Sequence, residues 1–185
     1  MPHTEDEAST LAGIASGNDG VFERVYRAHK DDLLTLAAFL LRDRHAAEDV
    51  LHDVFVGLAR RARELRLTGS LKAYLVTSCR NRCRDLLRER VRTRDKMGDL
   101  SFAADEVAVD AGGEAETADD AEQAQAVLLE LPDAQREVVT LHVYGGLKFR
   151  EIAEMQGISV NTAQSRYRYA IESMQTRLPG EERGS

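Results

Sequence analysis

Tryptophan is absent from the 185 residues, and the chain holds only five phenylalanines, five tyrosines and two cysteines. So small an aromatic set, beside plentiful Leu, Ala, Glu and Arg, favours helix over sheet. No apolar run approaches the length of a membrane span, which argues against membrane insertion. The opening residues, MPHTEDEAST, are acidic and polar where a secretory signal would be basic and then apolar, so the expected place is the cytoplasm. Cys79 and Cys83 lie one helical turn apart in an Arg-rich stretch, a spacing that admits a metal or redox reading. With no second Cys pair and no His nearby in sequence, small half-buried helix residues are the simpler reading. The five histidines are scattered without ligand spacing. A Gly-rich phosphate loop, a paired metal-ligand set and a nucleophile with its base and orienting group are all missing, which argues against an enzyme, a cofactor or a metal site.

What the chain does have is charge in blocks. The formal net charge is −7. Between Arg60 and Lys96 there are thirteen Lys or Arg against four acids, and between Asp99 and Glu130 ten acids and no base. Such asymmetry fits a cationic interaction surface followed by an acidic linker, although a charge run can also be a solvated face.

The second informative stretch is LKFREIAEMQGISVNTAQSRYRYA, from Leu147 to Ala170. Ile152, Ala153 and Met155 give a first helix an apolar side, and Gly157 can adopt the left-handed backbone that ends it. Ser159 is placed to cap a second helix by accepting from the amide of Asn161 or Thr162. Ile158, Val160 and Ala163 can pack back on the first helix. Asn161, Thr162, Gln164, Ser165, Arg166 and Arg168 are then the candidates for base edges or phosphates in a major groove. Many regulators and some purely structural helical hairpins share this helix-turn-helix pattern.

The remaining periodicity is helical too. Residues 1–20 read as a polar segment with a weak helical pattern around Leu11 and Ile14. From Val21, apolar residues recur at three- and four-residue steps through Leu41, then again from Ala46 to Arg63. Thr68, Gly69 and Ser70 interrupt the pattern and cap a third helix, Leu71 to about Arg92, whose buried side should carry Leu71, Tyr74, Leu75, Leu86 and Leu87. Residues 96–120 mix Gly, Ala and acids without a period and read as a flexible acidic linker. A helix from Ala121 to Leu131 is broken by Pro132, and the next, from Asp133, should turn Val138, Val139, Leu141 and Val143 inward. The expected fold is all-α: a first helical domain over 21–95, a linker over 96–120, a second domain over 121–180 and a tail over 181–185.

Taken together, FERVYRAHKDDLLTLAAFLL, AAEDVLHDVFVGLARRA, LKAYLVTSCRNRCRDLLRER and LPDAQREVVTLHVYGGLKFREIAEMQGISVNTAQSRYRYA resemble an extracytoplasmic-function (ECF) sigma factor of bacterial RNA polymerase, of the sigma-70 family, from Val21 to Leu178. The resemblance implies a region 2 helical bundle and a region 4 domain with helix-turn-helix. Its implied function is a transcription initiation factor that binds core RNA polymerase, directs it to a two-part promoter and assists strand opening. It implies partners in the coiled coil and the flap of the polymerase, in promoter duplex and in the non-template single strand, and it allows for an anti-sigma factor covering both polymerase-binding faces.

By the same resemblance, Asp49, His52 and Asp53 face core polymerase. His52 stands where the family commonly has Gln. The segment ELRLTGS and the helix after it would take the downstream promoter element, with Asn81 on a base and Arg80, Arg84 and Arg88 mainly on phosphates. The helix after Ser159 would read the upstream element. From Leu131 onward seven bases face seven acids, so this second domain lacks a cationic surplus, and weak promoter binding without core enzyme is expected. The linker acids Asp110, Glu114, Glu116, Asp119 and Asp120 could mimic nucleic acid or merely tether. Two other readings stay open at this level: a stand-alone helix-turn-helix regulator binding a palindromic operator as a dimer, and a helical adaptor whose cationic face holds an acidic protein.

Overall fold

The structure, a computed structural model, describes residues 3–67, 69–97 and 115–178. Among them are eight helices and no strand: α1 His3–Ala15, α2 Asp19–Leu41, α3 Arg44–Arg61, α4 Leu71–Met97, α5 Ala115–Glu130, α6 Asp133–Val143, α7 Phe149–Gln156 and α8 Val160–Arg177. None of the described helices is long and apolar enough to cross a membrane. The chain divides into two compact units, Met1–Ala104 and Asp105–Ser185.

In the first unit α2, α3 and α4 each begin at a polar cap. Asn18 accepts from the amide of Val21 at 3.2 Å to start α2, Asp43 from that of Ala46 at 2.9 Å to start α3, and Ser70 from that of Ala73 at 3.1 Å at the head of α4. Each bond satisfies an amide that has no partner within its own helix. Between α2 and α3, Arg42 takes the left-handed conformation, φ 53°, and sends its amide back to the Ala38 carbonyl at 2.8 Å. This is an uncommon backbone for a side chain of that size.

Helices α2, α3 and α4 pack on one another. Leu33, Leu36, Phe39, Val50, Leu58, Leu75 and Val76 are almost wholly buried between them, each contributing about 1.5–3 kcal/mol of transfer free energy. Helices α3 and α4 run antiparallel, as two ion pairs record: Asp43 meets Arg90 at 2.6 Å and Asp53 meets Arg82 at 2.8 Å. Lys72 joins α4 to Asp32 on α2 at 2.8 Å. The N-terminal segment is more ordered than its weak pattern suggests: α1 packs against α2 and α3 and buries Leu11 and Ile14. Gly13 permits this approach, because a Cβ there would come within 2.9 Å of Val21 Cγ2.

In the second unit α5, α6 and α7 gather around α8, and Leu131, Val138, Leu141, Ile152, Ala163 and Ala170 are buried. The elbow between α5 and α6 is fastened by Arg136, whose guanidinium is sunk at 4% exposure. It donates to the carbonyls of Leu129 (3.2 Å) and Leu131 (3.0 Å) and to the Asp133 carboxylate. Carbonyls left over where Pro132 breaks the helix thus find a charged donor. Arg177 closes the far end of α8 onto Glu130 at 2.9 Å.

Several expectations need correction. Leu87 and Val143, assigned to buried faces, are 37% and 55% exposed. On α4 no residue between Arg84 and Thr93 is fully buried, so cover thins after Cys83 and leaves Leu87 in the open, although Arg90 still reaches Asp43 at the head of α3. Val143 sits at the last residue of α6, where cover similarly ends. Cys79 and Cys83 are not half-buried but fully so. A bond with Cys83, together with burial, pushes the Cys79 thiol well above its ordinary range, and both side chains pack in the core of the first unit. Both ends of the stretch expected as linker are helical, since α4 reaches Met97 and α5 starts at Ala115. The helix-forming run AETADDAEQAQAVLLE accounts for the latter. Residues 98–114, the tail 181–185 and the side chains of the linker acids proposed to mimic nucleic acid lie outside the described residues.

Candidate nucleic-acid interface

Three surfaces carry the candidate residues. The first is the outer face of α3, where Asp49, His52 and Asp53 are all exposed. One helical turn separates Asp49 from His52 and Asp53, so the three share a face, opposite the buried stripe of Val50, Val54 and Leu58. Asp53 is also committed inside the unit through its pair with Arg82.

The second surface is on α4. Asn81, Arg84 and Arg88 are exposed and fall on one stripe at helical spacing. Arg80 does not join them. It is 3% exposed, because it follows Val76 by four residues and precedes Cys83 by three, and both of those are buried. The expectation that all four residues share one DNA-facing surface is therefore corrected to three. Other cations of the basic block are held by the fold itself: Arg82 by Asp53, Arg90 by Asp43 and Arg63 by the Ala15 carbonyl at 3.1 Å. Arg88 lies 3.7 Å from Asp85, an exposed pair worth little. Arg92, one turn beyond Arg88 and exposed, extends the stripe. It was legible in the sequence only as one more charge of the block.

The third surface is the helix-turn-helix. The amide of Lys148 donates to the Glu151 carboxylate at 2.8 Å at the start of α7. Gly157 ends α7 at φ 68°, and the amide of Ile158 returns to the Ala153 carbonyl at 3.0 Å, the bonding pattern of a left-handed helix stop. Ser159 accepts from the amide of Thr162 at 3.0 Å, one of the two amides expected. Ala163 is buried and Ile158 partly so, but Val160 stays 40% exposed.

The six candidate side chains of α8 then separate by angle. Asn161, Gln164 and Arg168 are exposed and Ser165 half-buried, all on the outward face. Thr162 lies beside its cap, with its hydroxyl 2.8 Å from that of Ser159. Arg166 turns to the flank and donates to Gln156 of α7 at 3.2 Å. Arg168 lies 3.8 Å from Glu172 and over the Tyr169 ring at 5.2 Å. Behind this face, His142 stacks on Phe149 with ring centres 4.4 Å apart, and Tyr167 meets both edge-on. The His142 ring also bonds the Leu147 carbonyl at 2.7 Å. This cluster ties α6, α7 and α8 together and so fixes the angle at which α8 is presented. A cap, a stop and an aromatic brace leave a rigid helix start whose outer face is amide, hydroxyl and guanidinium.

These two units match two known domains in the same order. Residues 25–93 match Sigma-70 region 2 and residues 121–174 match Sigma-70, region 4, together covering more than half of the chain. The chain belongs to the sigma-70 family. It is similar along most of its length to the ECF RNA polymerase sigma factor SigK of Mycobacterium ulcerans (strain Agy99), at 26% identity over 177 residues and 95% of each chain. It is likewise similar to the ECF RNA polymerase sigma factor SigM of Mycobacterium tuberculosis (strain ATCC 25618 / H37Rv), at 28% over 165 residues, 89% of this chain and 80% of that one.

Among solved structures, the fold is shared with the sigma factor RpoE in complex with the anti-sigma factor NepR from Bartonella quintana. That match has a TM-score of 0.71 and 22% identity and covers 85% of this chain and 96% of that one. The fold is shared also with CnrH in complex with the cytosolic domain of CnrY, at TM-score 0.62 and 22% identity over 92% and 95%. This sigma factor is thus a transcription initiation factor of the ECF group. Surfaces α3 and α4 lie in region 2, and the helix-turn-helix lies in region 4.

Proposed function

We propose that this sigma factor works through a division of its surfaces. The outer face of α3, with Asp49, His52 and Asp53, docks on core RNA polymerase. Asn81 and the arginine stripe Arg84, Arg88 and Arg92 hold the downstream promoter element as its strands part. Asn161, Gln164, Ser165 and Arg168, flanked by Thr162 and Arg166, read the upstream element in the major groove. The domains that do this run over 21–95 and 121–180. The protein acts by binding and performs no reaction of its own, and its place is with the polymerase in the cytoplasm.

The observation that carries this reading is the outward face of α8. A capped helix start bearing Asn, Gln, Ser and Arg has the donors and acceptors that discriminate base edges. Strand opening fits the α4 stripe, where guanidinium groups can track a phosphate backbone and an amide can bond an unstacked base.

The charge pattern supports dependence on polymerase. Region 4 has no cationic surplus, and region 2 holds several arginines in internal pairs. Phosphate neutralisation supplies most non-specific affinity for DNA, so the free protein binds promoter duplex weakly.

Run-off transcription by core enzyme on fragmented host DNA, with transcript starts sequenced, tests the proposal. Starts that require the protein and share two spaced upstream elements are expected. Polymerase-independent binding to a palindromic site, with no new starts, would sink it in favour of a stand-alone regulator.

A further inference from the structure

Helix α1 ends before residue 25, where the region 2 match begins. It nevertheless holds both ends of the segment that joins α3 to α4. At one end the Ala15 carbonyl accepts from Arg63 Nε at 3.1 Å. At the other, Glu7 Oε1 accepts from the amide of Leu71, the first residue of α4, at 3.0 Å. Between these contacts lies a cleft of about 910 Å³, walled by Leu11 and Ala12 of α1 and by Leu65 and Leu67 of the joining segment, and lined as well by Arg63 and Arg66.

The Glu7 contact does specific work on α4. The first amides of any helix lack acceptors within it, and the dipole makes that end positive. Ser70 meets one of those amides, that of Ala73, while Glu7 meets another and brings a negative charge from a different helix. Asn81 stands ten residues further along the same helix, so anchoring the start of α4 also fixes where Asn81 lies relative to the joining segment. Leu11, 7% exposed, keeps α1 seated while the carboxylate does this.

We propose that Glu7 is a positioning residue for recognition of the downstream promoter element: it sets α4, and through α1 the facing wall of the cleft, in the register that Asn81 and the joining segment need. This role rests on the assignment of α4 and that segment to the downstream element. Glu7 touches no DNA under the proposal and acts through the amide of Leu71.

The test uses holoenzyme assembled with the wild-type chain, Glu7→Ala or Glu7→Gln, transcribing a promoter library randomised in both elements. Glu7→Ala flattens the preference at the downstream element by about fivefold, as loss of a helix cap would imply, and leaves the upstream preference intact. Glu7→Gln keeps an oxygen that accepts the same bond and restores most of the preference. An unchanged downstream preference in Glu7→Ala overturns the proposal. So does an equal fall at both elements, which would make α1 a general support of the fold. Absence of any two-part preference with the wild-type chain would instead overturn the division of surfaces itself, and this role with it.

Discussion

The helices assigned to the two promoter elements are built on opposite plans. Helix α8 begins at a tight stop and cap, and its outer face near that start is mostly neutral, with Arg168 the one guanidinium directed outward. Helix α4 is 27 residues long, rich in arginine, and spends part of that charge on its own neighbours through Arg82 and Arg90. The contrast separates two tasks. A rigid, weakly charged face discriminates base edges but holds DNA poorly alone, whereas a charged stripe holds any backbone and needs one well-placed amide for selectivity. On the proposed division of surfaces, placing both on one chain and leaving affinity largely to polymerase would make recognition depend on assembly.

The sharpest way to separate the units is to damage one fold and watch the other. Arg136→Ala strips two carbonyls and a carboxylate of their shared buried donor and should destabilise the second unit by about 3 kcal/mol. Hydrogen exchange should show faster opening in α5 to α8 and an unchanged α2 to α4. Equal acceleration in both units would mean that they fold as one.

The next largest effect addresses the binding contrast itself. Asn161→Ala should cost about 1–3 kcal/mol on promoters with the preferred upstream element and almost nothing on promoters altered there. Arg88→Ala should weaken holoenzyme binding to all promoters alike and lower the salt slope by about one. Competition assays across two salt concentrations read both outcomes. A uniform loss from Asn161→Ala would erase the distinction between the two helices.

Much of this architecture is legible from spacing alone, and the failures share one cause. Periodicity reports the direction of a side chain around its helix but not how far the covering neighbours extend. Ser159 and Gly157 are local signals, and they act locally as the sequence implies. Arg80 lies at the rim of the buried arc, and only the presence of α2 and α3 decides that it is covered. Leu87 lies in the same arc further along, where cover has run out. The role of α1 is invisible for a related reason: Glu7 meets Leu71 across 64 residues of sequence, and no periodicity encodes a contact at that range. Arg166 looks like its neighbours in sequence, yet its partner Gln156 sits across the turn.

Capping separates the units more gently. Ser159→Ala removes the acceptor for the Thr162 amide and should cost the second unit about 1 kcal/mol. It should also blur upstream discrimination, because the start of α8 frays where it is read. Thermal unfolding gives the first quantity and the promoter library the second. Full stability together with lost discrimination would assign Ser159 to DNA rather than to the helix.

The smallest expected effect is a pH dependence confined to the first unit. The Ala46 amide foremost holds the Asp43 carboxyl below its ordinary value of 3.8; burial, next in size, opposes it, and the Arg90 guanidinium and the nearby His45 add to the lowering. A carboxyl whose folded value is depressed stabilises the fold fully above its unfolded value and loses that contribution as pH falls through the folded one. Stability of the first unit should therefore decline as pH drops below about 4, and Asp43→Asn should flatten that part of the decline while lowering stability at neutral pH. The second unit should show no change on this substitution, since the Asp43 bonds to Ala46 and Arg90 lie within the first. Acid unfolding followed residue by residue would decide it: an Asp43→Asn curve parallel to wild type below pH 4 would mean that the cap and its ion pair contribute nothing through charge.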